Sequence, residues 1–171
     1  MQPDVDPLRI GLFGGSQGGW IVPLAAVHSR LVRFAVLESG PVVSVGESDS
    51  FAAYTSQGAA PLGRPLSQIE AQVQREGPSG FDPKPFIRRL AIPMLWLYGG
   101  LDMNQPSHLD VNVLEQLKAE TGHDYEWHLY PDGNHGLFEM KTGLNSELSS
   151  SRGLPRALFA DVDAWLKAHH A

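Results

Sequence analysis

Short apolar runs alternate with amphipathic stretches along most of the chain. Runs with the length and continuity of buried strands cover residues 8–13, 32–39, 92–100 and 125–131. Helical periodicity covers residues 19–30, 66–77, 107–122 and 154–170. In the third of these helices we expect Ser107 to cap the amino end and Gly122 the carboxyl end. Strands that alternate with helices predict an α/β fold, with a predominantly parallel sheet and helices on both faces.

The pattern changes between residues 41 and 85, where Gly, Pro, Ser and Gln become frequent. The helix over 66–77, closed by Gly77, is the only good helical pattern in this segment. We therefore predict a single domain whose core comprises residues 8–40 and 86–171. Residues from about 41 to 85 are expected to form a short cap-like insertion over that core.

Composition narrows the functional classes. The chain has 171 residues, a net charge of -6 and scattered basic residues, so we expect no nucleic-acid partner. No apolar run approaches the 18 or more residues of a membrane span, and the start lacks the pattern of a signal peptide. Cytoplasm is then the default expectation. The chain has no cysteine, which excludes disulfides, thiolate metal sites and cysteine nucleophiles.

The first apolar run ends in "GLFGGSQGGW", where Ser16 has Gly14 two residues before it and Gly18 two residues after. This G-x-S-x-G arrangement between a strand and a helix is typical of a nucleophilic serine held on a strained turn. Side chains at positions 14 and 18 are expected to collide with neighbouring elements, which explains the glycines. A nucleotide-binding loop is the rival interpretation, with Glu38 as the ribose-binding acid. However, neither G-x-G-x-x-G nor a P-loop lysine is present.

A serine nucleophile requires a base, and the base requires an orienting carboxylate. With this type of turn the expected order is Ser, then Asp or Glu, then His, each beyond the carboxyl end of a strand. Asp102 directly follows the third predicted strand, although an aspartate there is also typical of a turn. His135 is the one histidine in the loop after the fourth strand. The histidines at 123, 128 and 135 have no recognised zinc spacing, so we predict no metal site.

The stretches "GLFGGSQGGW", "LWLYGGLDMNQP" and "YPDGNHGLF" resemble, in order, three motifs of the α/β-hydrolase fold, over nearly the whole chain. Within that fold, the chain is similar to one branch of esterases and peptidases, which includes dienelactone hydrolases and prolyl-oligopeptidase-like enzymes. The similarity is to the carboxyl-terminal half of these proteins. The resemblance implies that Ser16 is the nucleophile, His135 the general base and Asp102 its orienting carboxylate. It also implies that the Gln17 N–H is an oxyanion donor. A carboxylic ester, or alternatively a peptide, would be cleaved without a cofactor.

The chain departs from this family in its first residues. Family members reach the serine turn after four or five strands, whereas here it arrives at residue 16. We therefore expect the loop that supplies the second oxyanion donor to be missing, and losing one such donor costs about 3 to 4 kcal/mol of transition-state stabilisation. The first strand becomes an exposed edge that can pair with a second copy or another chain. Three explanations stay open: a fragment, a half-domain that needs a partner, or a weakened hydrolase on a minimal fold.

Overall fold

The structure, a computed structural model, describes residues 5–170. Its four strands are β1 (Gly11–Gly15), β2 (Phe34–Glu38), β3 (Met94–Gly99) and β4 (Tyr125–Tyr130). Its helices are α1 (Gly18–Val27), α2 (Val45–Tyr54), α3 (Leu66–Glu76), α4 (Lys84–Ile87), α5 (Ser107–Thr121) and α6 (Leu158–His170). The strands form one parallel sheet in the order β1-β2-β3-β4. The predicted α/β class and parallel sheet are thus confirmed.

The two faces of the sheet bury different halves of the same strands, because successive side chains point to opposite sides. On one face, α1 and α5 cover a core that includes Leu37 and Trp96, both with no exposed surface. On the other face, α6 packs through Leu158 and Trp165 against β2 and β3. Helices therefore cover both faces, and the three loops that carry Ser16, Asp102 and His135 leave the carboxyl ends of the strands.

The first strand differs from its prediction. It begins at Gly11 and runs through Gly15, so the glycine pair lies inside the strand and residues 8–10 precede it. Within residues 5–170, β1 pairs with β2 alone and forms the edge of the sheet. Its central Phe13 is 68% exposed, so the expectation of a strand covered on both faces was wrong. The apolar pattern of β1 instead marks a sheet edge with an uncovered face.

The segment from 41 to 85 has more structure than its composition predicts. Helix α2 is closed at its start by a capping box, in which Ser44 and Glu47 exchange side-chain and backbone hydrogen bonds. The predicted helix over 66–77 is present as α3. Phe51 of α2 and Ile69 of α3 are almost fully buried against each other's helix and α5. This segment is therefore packed onto the body of the fold.

Two helix boundaries were also predicted wrongly. Pro106, rather than Ser107, is the residue that precedes α5, and no side chain caps that end; Gly122 does end the helix, in the left-handed conformation. The terminal helix begins at Leu158 and continues through the histidines at 169 and 170. Residues 1–4, on which the signal-peptide expectation partly rests, lie outside the described residues. Within residues 5–170, no helix is both long and apolar enough to cross a bilayer.

Candidate active site

Ser16 occupies the turn between β1 and α1. Its φ of 50° is in the left-handed region, which non-glycine residues seldom adopt. Two hydrogen bonds fix this turn: the Ser16 N–H donates to the Glu38 carbonyl oxygen at 2.9 Å, and the Gly19 N–H donates to the Ser16 carbonyl oxygen at 2.9 Å. The serine side chain stands exposed at the rim of the sheet. The strained, outward-facing backbone expected of this motif is present.

Of the two close contacts predicted for the glycines around Ser16, the one at Gly14 is confirmed and the one at Gly18 is wrong. A Cβ at Gly14 would lie 2.7 Å from the Val22 Cγ2 atom, so the close approach of strand and helix is real at that position. A Cβ at Gly18 would meet nothing within 4 Å outside its own helix, so the collision predicted there was wrong. The tight position is Gly19, whose Cβ would lie 2.3 Å from the Pro41 nitrogen. The second tight glycine therefore lies one residue beyond the G-x-S-x-G motif.

Asp102 follows β3 and is buried, with no exposed side-chain surface. Its Oδ1 atom accepts the N–H groups of Asn104 at 2.7 Å and Gln105 at 2.9 Å. Its Oδ2 atom lies 2.8 Å from the Nδ1 atom of His135. The two backbone donors fix one carboxylate oxygen and leave the other for the imidazole, which is the geometry of an orienting carboxylate.

His135 lies in the loop after β4, and its ring contacts both other residues. The Nε2 atom is 3.0 Å from the Ser16 Oγ atom, while Nδ1 faces Asp102. Burial acts to lower the pKa of His135, but the hydrogen bond and charge of Asp102, together with the charge of Glu38, outweigh it and raise the pKa. The structure therefore brings Ser16, His135 and Asp102 into one continuous hydrogen-bonded chain.

Ser39 supports His135 and was missed by the sequence analysis. It ends the β2 region with a φ of 46° and is 1% exposed. Its hydroxyl donates to the carbonyl oxygen of His135 at 2.7 Å, and its N–H donates to the Leu97 carbonyl oxygen at 2.8 Å. Its position after a buried strand was the only available signal, since the contact spans 96 residues.

Asp110 is a second buried carboxylate that sequence reasoning assigned no role. Its Oδ1 atom accepts the N–H groups of Val42 and Val43, and its Oδ2 atom accepts the side-chain amide of Gln105 at 3.0 Å. Burial raises the pKa of Asp110 to about 7, although these hydrogen bonds oppose the shift. Through Gln105, this carboxylate links the start of the 41–85 segment to the Asp102 turn.

A parallel sheet with helices on both faces and a strand–serine–helix turn at its rim is the arrangement of the α/β-hydrolase fold class. The model of the prolyl oligopeptidase family matches residues 1–152. Because this match covers most of the chain, the chain belongs to the prolyl oligopeptidase family. No curated protein matches it significantly.

Solved structures agree on the fold. An esterase of Pyrococcus furiosus superposes with a TM-score of 0.61 at 16% identity, over 95% of this chain and 54% of that one. A putative dienelactone hydrolase from Klebsiella pneumoniae gives 0.57 at 19% identity, over 98% of this chain and 54% of that one. An acylaminoacyl peptidase of Pyrococcus horikoshii gives 0.54 at 19%, over 79% of this chain and 21% of that one. The chain thus spans about half the length of the two smaller proteins and about a fifth of the peptidase.

Proposed function

We propose that this chain is a serine hydrolase that cleaves carboxylic esters through an acyl-enzyme. The observation that carries the proposal is the chain of contacts from Ser16 Oγ to His135 Nε2 at 3.0 Å and from His135 Nδ1 to Asp102 Oδ2 at 2.8 Å. Nucleophile, base and orienting carboxylate are within hydrogen-bonding reach in the order that acyl transfer requires. The proposal assigns no step to a cofactor or a metal ion.

In the first half-reaction the Ser16 Oγ atom attacks the ester carbonyl carbon while its proton passes to His135 Nε2. The resulting imidazolium keeps its Nδ1–H directed at Asp102, whose charge stabilises it. The C–O bond to the leaving alcohol then breaks, and the alcohol takes the proton from Nε2. In the second half-reaction a water molecule attacks the acyl-enzyme, gives its proton to Nε2 and releases the acid as Ser16 recovers its proton.

The negative charge on the tetrahedral intermediate needs donors near the start of α1. The first amide groups of a helix have no partner within it, and the helix dipole favours negative charge at that end. We assign the Gln17 N–H as the oxyanion donor on this basis.

Esters are the favoured substrates because their carbonyl is more reactive than that of a peptide, so fewer donors are needed. The 41–85 segment is proposed as the cap over the pocket.

Covalent labelling tests this proposal directly. A fluorophosphonate probe should label the wild-type chain once, and peptide mapping should locate the adduct on Ser16. The Ser16→Ala variant should stay unlabelled, and His135→Ala should label at least about a hundredfold more slowly because the base contributes 10² to 10⁴ in rate. A folded wild-type chain that remains unlabelled would contradict the proposal.

A second candidate function follows from the sheet edge. The backbone of β1 is unpaired on its outer side within the described residues, and an apolar groove of about 450 Å³ lies between β1, β2 and α6. Phe13 and Phe159 at this groove are 68% and 72% exposed. In this alternative the chain is a half-domain of low activity. The partner that pairs with β1 and fills the groove is then the strand-bearing remainder of an α/β-hydrolase domain. The chain's 54% coverage of the esterase is consistent with such a partner.

The native mass and activity of the purified chain separate the two candidates. Under the first candidate, light scattering after size exclusion finds a monomer that hydrolyses a p-nitrophenyl ester. If the chain is a half-domain, we expect a monomer with little turnover. Its activity should then rise when the strand-bearing remainder of the domain is added as a separate chain. Replacement of Phe13 by Ser should abolish that rise while leaving the isolated chain folded, because Phe13 is already exposed to solvent.

A further inference from the structure

Three metal-ligating side chains meet at the end of the sheet opposite the candidate active site. Asp124 and Glu126 lie at the amino end of β4, and His169 lies on the last turn of α6. The His169 Nε2 atom is 3.1 Å from Asp124 Oδ2 and 3.4 Å from Glu126 Oε1. One ligand atom from each residue lies within 4.8 Å of the other two. No step of the proposed hydrolysis uses any of these groups.

Trp165 orients two of the three side chains. The His169 Nδ1 atom is 2.8 Å from the Trp165 carbonyl oxygen, which can only accept, so Nδ1 carries the proton in the neutral ring. The Nε2 lone pair of that tautomer then faces the two carboxylates. The Trp165 indole N–H donates to Glu126 Oε1 at 3.1 Å. In that tautomer three electron-pair donors lie within 4.8 Å of one another, and a bound cation would offset their mutual repulsion.

We infer that Asp124, Glu126 and His169 form a zinc-binding site. Bonds of 2.0–2.2 Å in a tetrahedral zinc complex place neighbouring ligand atoms about 3.4 Å apart, close to the two distances from His169 Nε2. Imidazole and carboxylate are both ordinary zinc ligands, and metal-bound histidine commonly donates its other N–H to a backbone carbonyl. The carboxylates are partly exposed, with side-chain exposures of 47% and 41%, so water can complete the coordination.

A bound ion at this position would join the carboxyl end of α6 to the amino end of β4. Helix α6 packs on one face of the sheet through Leu158 and Trp165. Zinc would therefore hold the helix on the sheet in a structural role. The sequence analysis missed this site because Asp124 and Glu126 lie 45 and 43 residues before His169, outside any recognised zinc spacing.

Zinc titration of the full chain, stripped with a chelator, tests the inference. Isothermal titration calorimetry at pH 7.5 should find one zinc ion per chain, and the melting temperature should rise with zinc concentration. His169→Ala should weaken binding by at least tenfold. His28→Ala, which removes an exposed histidine elsewhere, should leave binding unchanged. His135→Ala should also leave it unchanged, which distinguishes this site from zinc capture by the candidate active site.

Two further variants keep the test decisive if His169→Ala folds poorly. Asp124→Asn alters an exposed position and should also weaken zinc binding at least tenfold. Trp165→Phe keeps the ring packing but removes the hydrogen bond to Glu126, and should weaken binding about tenfold. Substitution with Co²⁺ should give the intense visible absorption of a tetrahedral site. Absence of stoichiometric binding, or binding unaffected by Asp124→Asn, would show that the cluster is only an ion pair of an imidazolium with two carboxylates.

Discussion

The most informative stability experiment compares two adjacent glycines at the start of α1. Replacement of Gly19 by Ala places a methyl carbon 2.3 Å from the Pro41 nitrogen and 2.4 Å from the Gly40 carbonyl carbon. Both are backbone atoms, which cannot rotate away as a flexible side chain can. Replacement of Gly18 by Ala places the same methyl group in open space. The pair therefore isolates one close approach between α1 and the end of β2.

We expect the two substitutions to change the free energy of unfolding in opposite directions. Overpacking of a well-packed site costs about 1–3 kcal/mol, and the rigid neighbours of Gly19 put its cost near 3 kcal/mol. For a chain of this length that lowers the melting temperature by about 6–12 °C. Gly18→Ala gains up to about 1 kcal/mol from helix propensity and should leave the melting temperature unchanged or raise it slightly.

Urea unfolding of the wild type and both variants measures these differences. The Gly19→Ala midpoint should fall with little change in slope, since the amount of surface exposed on unfolding is the same. Because the Gly19 N–H also holds the Ser16 carbonyl, fluorophosphonate labelling of this variant should slow even where the chain remains folded. Free energies of unfolding that agree within about 0.5 kcal/mol for the two variants would refute the close approach at Gly19.

The remaining predictions concern the polar groups around His135. In Asp102→Asn the amide oxygen should keep the two backbone N–H groups and turn its NH₂ towards His135, which forces the wrong tautomer and lowers kcat by about 10⁴-fold. Under the proposed mechanism the neutral imidazole of His135 is the base, and the pKa of His135 is raised, so kcat/KM should fall on acidification with a midpoint above that of an unperturbed histidine. Ser39→Ala should lower kcat by up to about 10²-fold with little change in KM, because the base is displaced rather than the substrate. Asp110 binds its proton more tightly when folded, so urea midpoints should decline as pH rises from about 4 to 7 and decline less in Asp110→Asn.

Sequence patterns are sufficient to predict most of the sheet and the order of the candidate site residues along the chain. Short apolar runs that alternate with helical patterns favour parallel strands, and loops at the carboxyl ends of such strands meet at one rim. That rule is enough to select Asp102 and His135 from the acidic residues and histidines of the sequence. The catalytic roles of these two residues are predictions. The role of the 41–85 segment as a cap over the pocket is also a prediction.

The features that sequence patterns did not predict depend on contacts between distant segments of the chain. Helix α2 has little helical periodicity of its own, and its burial against α3 and α5 is visible only in three dimensions. Gly19 faces the Gly40–Pro41 backbone, and Ser39 meets the carbonyl of a residue 96 positions later. No local pattern encodes either contact. Local signals predicted the four strands and helices α1, α3, α5 and α6, whereas tertiary packing determines which glycine is tight and which serine bonds to the His135 loop.

The two halves of the candidate site have unequal support from the sheet. Asp102 follows β3, an inner strand, and the His135 loop is held by both Asp102 and Ser39. Ser16 follows β1, and its N–H is tied to the sheet by the single bond to Glu38 of β2. A strand added at the β1 edge would therefore stiffen Ser16, the proposed nucleophile, and leave His135, the proposed base, as it is. If the half-domain candidate is correct, complementation should raise kcat without moving the acidic midpoint that His135 sets. A shifted midpoint would mean that the added strands reorganise the base as well.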